Sequence, residues 1–531
     1  MRAFADLLDS LIYTRSRTGK LRLIANYLRA TPDPDRGWAM AALTGALDVP
    51  AVKPAMIRAL IEARVDPLLY RMSRDFVGDT AETVSLLWPD PLVPVAQAAP
   101  PSLDQIIQTL SSAPRSEAPA IMAALLDQLT PTERFALIKM MTGALRVGVS
   151  VRLAKTALAD AFALEVDAVE EVWHALAPPY TALFDWAEGR TDKPTSDHLP
   201  VFRAFMLAHP LGETEVSLAD YAAEWKWDGI RVQIVNVAGQ TRLYSRGGED
   251  ITAAFPDIAG RFSTAGVVDG ELMVRGELQG GALAAGGGAA SFNALQQRLG
   301  RKLVSARMLA DYPAFVRLYD ILFDGGDDLR ALPWTERRKR LLSFYPALDP
   351  AAFDVSTVIE AADFEALAEV RAGARDAAIE GVMLKRRDSP YVGGRRVGLW
   401  YKWKRNPLIV DCVLMYAQRG SGRRSSFYTD FTFGCWNAAG ELLPVGKAYS
   451  GISDAEIKLL DQFVRTHSTA RFGPVREVEK KLVLEIAFDS IHASKRHKSG
   501  VAMRFPRINR IRSDKPANEA DTLAALQKLV T

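Results

Sequence analysis

Hydrophobic positions in the first third of the chain recur with helical spacing. Phe4, Leu7, Leu8, Leu11 and Ile12 follow the i, i+3, i+4, i+7, i+8 rule, which predicts an amphipathic helix at the start of the chain. Similar patterns continue to about residue 185, with hardly any of the alternation typical of strands. The run at 88–102 is rich in Pro and Ala, and it predicts a connector between helices. The first third is therefore expected to be all-helical.

The pattern changes near residue 200. Short β-rich runs bounded by Gly and Asp predict strands in YAAEWKWDGIRVQIVNV, TRLYSRGG and GVVDGELMVRG. Residues 365–377 return to a helical pattern, and the strand-like IEGVMLKR follows them. This mixture predicts an α+β domain with antiparallel sheets. The glycine-rich GELQGGALAAGGGAAS predicts a flexible surface loop and lacks the pattern of a phosphate-binding loop.

A third pattern begins after Pro407. IVDCVLMYAQ, FYTDFTFGCWN and KLVLEIAFDSI predict strands of a small β-barrel, and ANEADTLAALQKLV predicts a closing helix. No run has the length of apolar sequence that a bilayer requires. We therefore expect three domains, at residues 1–195, 201–406 and 407–531.

Composition narrows these expectations only slightly. With 531 residues, 48% hydrophobic and 24% charged, the chain is typical of globular proteins with several domains. The net charge of +3, from 66 basic and 63 acidic residues, neither requires nor excludes nucleic acid. The two cysteines give neither a disulfide framework nor a zinc set, which favours a reducing, intracellular compartment. Asp6 and Asp9 argue against a targeting peptide at the start.

The segment EWKWDGIR carries the first candidate for chemistry. Lys226 lies in a strand-like run, with Asp228-Gly229 just after it and Arg231 beyond. A lysine amine that is pushed towards its neutral form is a nucleophile, and a following glycine lets a phosphate approach the backbone. A surface strand that ends in an Asp-Gly hairpin turn, with a solvated lysine, fits this short motif equally well.

Further charged residues and one tyrosine follow in order along the chain, each in or beside a predicted strand. They are Arg246 in SRGGEDIT, Glu271 after the apparent Asp-Gly turn of VVDGEL, Tyr319 and Asp320 in RLYDILF, Glu380 and Lys385 in IEGVMLKR, and Lys402 and Lys404 in LWYKWKR. Such a set of cations and carboxylates is suited to hold a triphosphate and its magnesium ion while an amine attacks phosphorus.

These motifs resemble those of the covalent nucleotidyltransferases and, among them, the ATP-dependent DNA ligases. The resemblance covers residues ~201–531 and extends into the helical region. It implies that Lys226 forms a phosphoramide with AMP. The other roles that it implies are adenine recognition for Glu224, adenine stacking for Tyr319, contacts to the ribose and the nick phosphate for Arg231 and Arg246, placement of the metal for Glu271 and Glu380, and contact with the α-phosphate for Lys402 and Lys404.

The segment MRFPRINRIRSDK is similar to the ligase motif that closes over ATP and orients the pyrophosphate. The residues that would carry this role are Arg504, Arg507, Arg510, Asp514 and Lys515. A solvated basic face or a generic nucleic-acid tail is the alternative interpretation. In PVFRAFMLAHPL, Ala204-Phe205 replaces the proline that the family usually has before Met-Leu-Ala.

Two further segments resemble DNA-contacting parts of larger ligases. SFNALQQRLGRK, with Arg298, Arg301 and Lys302, resembles a helix that faces DNA, although an ordinary amphipathic helix with a basic side fits nearly as well. GALRVGVSVRLAK resembles a stretch that binds the DNA backbone, with Gly148 against phosphate. The implied fold is an all-α N-terminal DNA-binding domain, an α+β nucleotidyltransferase domain with ATP-grasp-like antiparallel sheets and a C-terminal OB-fold β-barrel.

The implied function is the sealing of nicks through a lysyl-AMP and a DNA-adenylate. ATP and Mg²⁺ are the expected cofactors, and nicked duplex DNA is the expected partner, with no membrane. Other DNA-repair proteins are further partners to consider, for a monomer in the cytoplasm that is associated with the nucleoid if the source is bacterial. The alternatives are an RNA ligase, an mRNA-capping-type nucleotidyltransferase or a non-catalytic DNA-binding relative. The helical first third and the RFPR stretch favour a DNA ligase.

Overall fold

The computed structural model describes residues 1–90, 101–143, 145–195, 199–275, 295, 297–299, 301, 303–373, 378–420, 426–494 and 497–530. The chain forms two compact units. One comprises Met1–Val149 together with Asn406–Thr531, and the other comprises Ser150–Arg405. The predicted domain limits at 195, 201 and 407 stay predictions.

The part of the first unit before residue 149 is helical, as the hydrophobic spacing predicted. Helix α1 buries Phe4, Leu7, Leu8 and Leu11, which form the apolar stripe of the sequence. Two later helices begin with capping boxes, in which Ser102 and Thr130 satisfy the first free backbone amides. The helices are α1 (Arg2–Tyr13), α2 (Arg17–Ala30), α3 (Asp35–Thr44), α4 (Pro54–Glu62), α5 (Pro67–Val77), α6 (Thr80–Leu87), α7 (Leu103–Ser112), α8 (Ala118–Gln128) and α9 (Pro131–Thr142).

The second unit begins with three more helices and continues into strands. The helices are α10 (Val151–Phe162), α11 (Val166–Trp173) and α12 (Thr181–Ala187). The strands up to residue 274 are β1 (Met206–Leu207), β2 (His209–Pro210), β3 (Tyr221–Trp227), β4 (Ile230–Val237), β5 (Gln240–Ser245) and β6 (Gly266–Val274), with helix α13 (Pro256–Ala259) before β6. The remaining elements are α14 (Ala306–Asp311), β7 (Ala314–Asp324), β8 (Asp327–Asp328), α15 (Trp334–Phe344), β9 (Phe353–Val355), β10 (Val358–Ile359), α16 (Phe364–Gly373), β11 (Ile379–Arg386), β12 (Gly394–Arg395) and β13 (Trp400–Lys404).

Two mixed, mainly antiparallel sheets form the frame of this unit. One has the order β10-β3-β11-β13-β2, and the other has the order β5-β4-β6-β7-β8 with β9 beside β7. Strands β3 and β4 are therefore in different sheets, although only Asp228 and Gly229 separate them. The hairpin alternative for this segment is wrong, because the two residues carry the chain from one sheet to the other. The helix predicted at 365–377 is confirmed as α16 over its described part.

One expected turn is absent. Asp269-Gly270, taken as a turn before Glu271, lies inside the continuous strand β6, where Asp269 and Gly270 are both buried. Arg231 compensates the charge of Asp269, so an acidic residue can occupy this strand. The whole glycine-rich segment, residues 276–291, and residues 91–100 of the connector lie outside the described residues.

The C-terminal part of the first unit is a sheet domain. Its elements are β14 (Leu408–Arg419), β15 (Tyr428–Trp436), β16 (Leu442–Ala448), α17 (Asp454–Thr466), β17 (Ser468–Phe472), β18 (Val475–Val478), β19 (Val483–Phe488), β20 (Ser490–Ala493), β21 (Val501–Arg504), β22 (Arg507–Arg512) and α18 (Leu523–Gln527). The sheet order is β16-β15-β14-β18-β17, with β19 between β14 and β22, and β20 pairs with β21. Pairing among the described strands does not close into a ring. The predicted closing helix is confirmed as α18.

The architecture agrees with the expected fold class: a helical N-terminal region, a domain of mixed sheets and a C-terminal sheet domain. Within the described ranges, no helix combines the length and apolarity that a membrane crossing needs.

Candidate active site

A pocket of about 270 Å³ lies in the second unit and takes side chains from both of its sheets. It collects most of the residues that the sequence motifs singled out. Its wall includes Glu224, Lys226, Arg231, Arg246, Glu271, Tyr319, Glu380, Lys385, Lys402 and Lys404, together with Leu207, Ala208, Trp225, Trp227, Gly229, Met383 and Trp400.

Strand geometry explains why Glu224 and Lys226 share this wall. The two residues lie two positions apart on β3, and alternate residues of a strand point to the same face. Glu224 is 1% exposed, whereas the Lys226 side chain remains 22% exposed. The strand therefore presents one fully buried carboxylate and one accessible amine to the same cavity.

Lys226 Nζ lies 2.5 Å from Glu380 Oε2, and Lys404 Nζ lies 3.3 Å from the same oxygen. Glu380 reaches this position because it is the extra residue of a β-bulge: Ile379 pairs with Trp227, but Gly381 already pairs with Lys226. Bulges redirect side chains in this way, frequently beside active sites. Burial raises the pKa of Glu380, but Lys226 and Lys404 outweigh it and lower the value to about 2. Glu380 is therefore a carboxylate throughout the physiological range.

Glu271, on β6, differs from Glu380 in that its pKa is raised and not lowered. Burial raises its pKa from 4.5 to about 8, against the attraction of Lys226 and with the help of the Glu380 charge. Its Oε1 accepts a hydrogen bond of 3.2 Å from the Gly229 amide. A Cβ at position 229 would lie 2.5 Å from the Leu272 carbonyl oxygen and 2.8 Å from Glu271 Cγ. The glycine of the motif thus allows β6 and Glu271 to approach the chain just after Lys226.

A buried ion pair occupies the wall beside Glu224. Lys385 Nζ donates to Glu224 Oε2 at 3.0 Å and to the Tyr319 carbonyl at 3.1 Å. The same ammonium lies 4.5 Å from the centre of the Tyr319 ring and 4.7 Å from that of Trp400. Burial raises the pKa of the Tyr319 phenol well above its ordinary value, so the ring is neutral. Tyr319 is thus a neutral aromatic face in the pocket, which suits the predicted stacking role.

Arg231 lines the pocket and also forms hydrogen bonds that hold neighbouring parts of the chain. It donates to both oxygens of Asp269, at 3.1 and 2.6 Å, and to the Met206 carbonyl at 2.6 Å. Burial lowers the pKa of Arg231, but Asp269 more than offsets this and raises it. Sequence reasoning missed Asp269 and Tyr391, whose hydroxyl donates to Asp269 at 2.7 Å. The i, i+2 spacing of Asp269 and Glu271 on one strand was the available signal.

Positive charge surrounds Lys402, another residue of the pocket wall. Burial lowers the pKa of Lys402, and Arg395, Lys226, Lys404 and Arg246 lower it further. A concentration of cations that repel one another is stabilised by an anion such as a phosphate.

The donor set of the pocket fits a magnesium ion. Glu271 and Glu380 lie close enough for the charge of one to raise the pKa of the other, and Mg²⁺ in nucleotide sites typically takes one or two carboxylates plus phosphate oxygens. Among the described residues there is no cluster of three or more His, Cys, Asp or Glu that would hold a metal without a ligand. Any magnesium here would therefore depend on the phosphates for part of its coordination.

The predicted C-terminal residues belong to the first unit, where most of them form ion pairs. Arg507 binds Asp489 at 2.9 Å, Arg510 binds Glu485 at 3.2 Å and Lys515 binds Asp411 at 2.9 Å. The Arg504 guanidinium lies 5.0 Å from the centre of the Phe505 ring, and Asp514 accepts from Arg512 at 2.8 Å. Their predicted closure over ATP stays a prediction.

The residues expected to contact DNA are placed differently from one another. Arg298 is fully buried, donates to Asp257 and to the Ala254 and Tyr312 carbonyls, and lies 4.6 Å from the centre of the Phe255 ring. A guanidinium enclosed in this way cannot contact a phosphate, so the interpretation of Arg298 as a DNA ligand does not fit. Arg301 is exposed, and Lys302 lies outside the described residues.

Gly148 has φ +65°, and the Lys20 ammonium donates to its carbonyl at 3.0 Å. A Cβ at this position would lie 2.5 Å from Lys20 Nζ, so the glycine keeps the loop close to that cation. The predicted contact of Gly148 with phosphate stays a prediction.

Comparisons with known proteins agree across the chain. Three family models match: DNA ligase N terminus at residues 1–159, ATP dependent DNA ligase domain at 205–404 and ATP dependent DNA ligase C terminal region at 424–515. A probable DNA ligase of an Anaeromyxobacter species is 30% identical over 98% of this chain and 96% of its own length. A probable DNA ligase of Koribacter versatilis is 29% identical over 100% and 96%. The solved structure Pmar-Lig_PreS3 is 16% identical, covers 96% of this chain and 99% of its own, and has a TM-score of 0.58, which indicates the same fold.

Proposed function

The chain belongs to the ATP-dependent DNA ligases, and from this premise we propose that it seals nicks in duplex DNA through AMP carried on Lys226 Nζ. Lys226 attacks the α-phosphorus of ATP and forms the P–N bond, while the bond to pyrophosphate breaks. AMP then passes to the 5′-phosphate at the nick, which frees Nζ. The 3′-hydroxyl attacks this activated phosphate, and AMP leaves as the new phosphodiester forms.

One observation supports this assignment above the others: an accessible amine shares a pocket with three carboxyl groups and three further ammonium groups. In phosphoryl transfer the protein mainly positions the reactants and offsets charge. Lys402 and Lys404 are suited to neutralise the α-phosphate, because Lys402 lies close enough to Lys226 to be repelled by it and Lys404 shares Glu380 Oε2 with Lys226. Glu271 and Glu380 would hold Mg²⁺, which withdraws charge from the phosphate oxygens.

Adenine recognition is assigned to Glu224 and Tyr319, two residues of the pocket wall. Glu224 supplies a carboxylate acceptor, and Tyr319 supplies a neutral ring for stacking. Arg231 and Arg246 are assigned to the ribose and the nick phosphate. Because Arg231 already holds Asp269, its contact with the nucleotide would use the edge of the guanidinium that faces the pocket.

The remaining parts of the proposal concern regions away from the pocket. We assign DNA-backbone contacts to the helical domain at 1–195, with Gly148, and to Arg301 of the catalytic domain at 201–406. Residues 407–531 form an OB-fold whose basic residues, Arg504, Arg507, Arg510 and Lys515, close over ATP. The protein acts as a monomer in the cytoplasm on nicked duplex DNA, and other DNA-repair proteins are its candidate partners.

The test is transfer of label from [α-³²P]ATP to the purified protein with Mg²⁺, followed by a chase with nicked duplex DNA. Covalent labelling and loss of the label on sealing are expected with ATP and a DNA nick, and not with GTP or with nicked RNA. Lys226→Arg is the sharpest variant, because it keeps a cation beside Glu380 but lacks the amine nucleophile. Lys339→Ala, which removes an exposed lysine of α15 that pairs with Glu336, is the matched control. Undiminished labelling of Lys226→Arg would refute the assignment.

A further inference from the structure

The Lys385–Glu224 ion pair suggests how the pocket distinguishes adenine from a purine with a carbonyl at the same position. Both side chains are 2% exposed, and burial of two charges is costly unless their geometry is well satisfied. Lys385 is held at four points: Glu224 Oε2, the Tyr319 carbonyl and the faces of Tyr319 and Trp400. The lysine is therefore a fixed anchor rather than a mobile charge.

The anchor uses only one of the two carboxylate oxygens. Among the described residues, Glu224 Oε1 is buried and accepts no hydrogen bond, and Arg338 Nη1 lies 3.8 Å away from it. That separation exceeds hydrogen-bond length. Arg338 is itself held by its other nitrogen, Nη2, which donates to the Ser356 carbonyl. A buried carboxylate oxygen with this unused capacity favours a ligand that donates a hydrogen bond.

We propose that Lys385 is a positioning residue for base specificity: it fixes the Glu224 carboxylate so that Oε1 accepts from the 6-amino group of adenine and repels a 6-carbonyl. The inference rests on the proposed function and extends it to a residue that does not touch the base. Without Lys385, the carboxylate turns towards Arg338 and Oε1 leaves its place. Discrimination by charge and hydrogen bonding is then lost, while stacking on Tyr319 remains.

The experiment compares initial rates of covalent labelling of the full-length protein with [α-³²P]ATP and with inosine triphosphate labelled in the same way, whose 6-carbonyl replaces the amino group. Lys385→Met is expected to lower the ATP to inosine triphosphate ratio about tenfold or more, because polar recognition of this kind accounts for large discrimination factors. Lys155→Met is the matched control. It removes another buried lysine, which binds Glu170 at 2.6 Å and lies 4.9 Å from the centre of the Trp173 ring, outside the pocket. Its ratio should stay at the wild-type value.

A second comparison separates positioning from general damage. If Lys385 acts through Glu224, then in a Glu224→Gln background Lys385→Met changes the ratio no further. Should Lys385→Met not fold, Lys385→Gln removes the same charge at similar length and is measured instead.

The inference is overturned if the ATP to inosine triphosphate ratio falls by less than about fivefold in Lys385→Met, or if it falls by the same factor in Lys155→Met. So does a further, independent fall in the double variant. In each of these cases continued labelling of Lys226 leaves the proposed function standing, whereas loss of all labelling in the wild-type protein refutes the function itself.

Discussion

Glu271→Gln should make the free protein more stable and less active at the same time. The pKa of Glu271 is raised to about 8 by burial, while the same group in the unfolded chain titrates near 4.5. The folded state therefore holds a proton that the unfolded state releases between these two pH values. As far as this group is concerned, the free energy of unfolding is highest below about pH 4.5 and decreases as the pH rises towards 8.

The size of the effect follows from the two pKa values. The burial of Glu271 lowers the free energy of unfolding, because the folded state must either keep the proton or ionise the group away from water. At about 1.4 kcal/mol for each tenfold change, this cost is about 1 kcal/mol at pH 5 and about 4 kcal/mol at pH 8. Glutamine keeps the oxygen that accepts from the Gly229 amide but cannot ionise. The stability gained by the variant should therefore grow by about 3 kcal/mol from pH 5 to pH 8. For a unit of this size that corresponds to a difference in Tm of roughly 10 °C.

Thermal unfolding followed by circular dichroism, without nucleotide or metal, measures this difference at pH 5, 6, 7 and 8. Glu336→Gln is the matched control, since Glu336 is half-exposed and pairs with Lys339 at the surface. Its curve should run parallel to that of the wild type. If the Glu271→Gln and wild-type curves also run parallel over this range, the carboxyl is not buried in its free acid form and the electrostatic account of the pocket is wrong.

Three further changes test other parts of the site. Glu380→Gln should have the opposite effect on stability. The pKa of Glu380 is lowered to about 2 by Lys226 and Lys404, so its ionised form stabilises the fold above about pH 4.5. In urea unfolding, the free energy of unfolding of the variant should be lower by up to about 3 kcal/mol at pH 7 and unchanged near pH 2. An unchanged midpoint at pH 7 would contradict the ion pair. Gly229→Ala should reduce covalent labelling by more than about tenfold, because the new methyl group would meet the Leu272 carbonyl at 2.5 Å, whereas Gly326→Ala, with open space around it, should label normally. Arg298→Met should lower the free energy of unfolding by about 3 kcal/mol, because it leaves Asp257 without its partner. The affinity of the variant for a nicked duplex should nevertheless depend on salt concentration as in the wild type. A shallower dependence of log affinity on log salt concentration would show that Arg298 contacts phosphate after all.

The sequence allowed most of the elements and much of the pocket to be predicted. Helical spacing identified α1, and the order of short β-rich runs identified the strands that carry Lys226, Glu271, Glu380 and Lys402. The reason is that these signals are local: periodicity and turn residues act over a few positions.

What could not be predicted depends on contacts between distant parts of the chain. Asp228-Gly229 looks like a hairpin turn until the sheet order places β3 and β4 in separate sheets. Arg298 looks like part of a basic surface, but its partners Ala254 and Asp257 lie more than forty residues earlier in the chain. Glu380 reaches Lys226 only through a bulge, a local irregularity that no pattern of polar and apolar residues reveals.

The central claim is that the nucleophile is the amine of residue 226, and peptide mapping by mass spectrometry tests it most directly. The protein is incubated with ATP and Mg²⁺ without DNA, digested at neutral or alkaline pH to preserve the P–N bond, and sequenced by fragmentation. The account predicts one AMP adduct, on Lys226, that disappears when nicked duplex DNA is added. An adduct on Lys385, Lys402 or Lys404 instead, or a modified Lys226 that nicked DNA does not discharge, would contradict it.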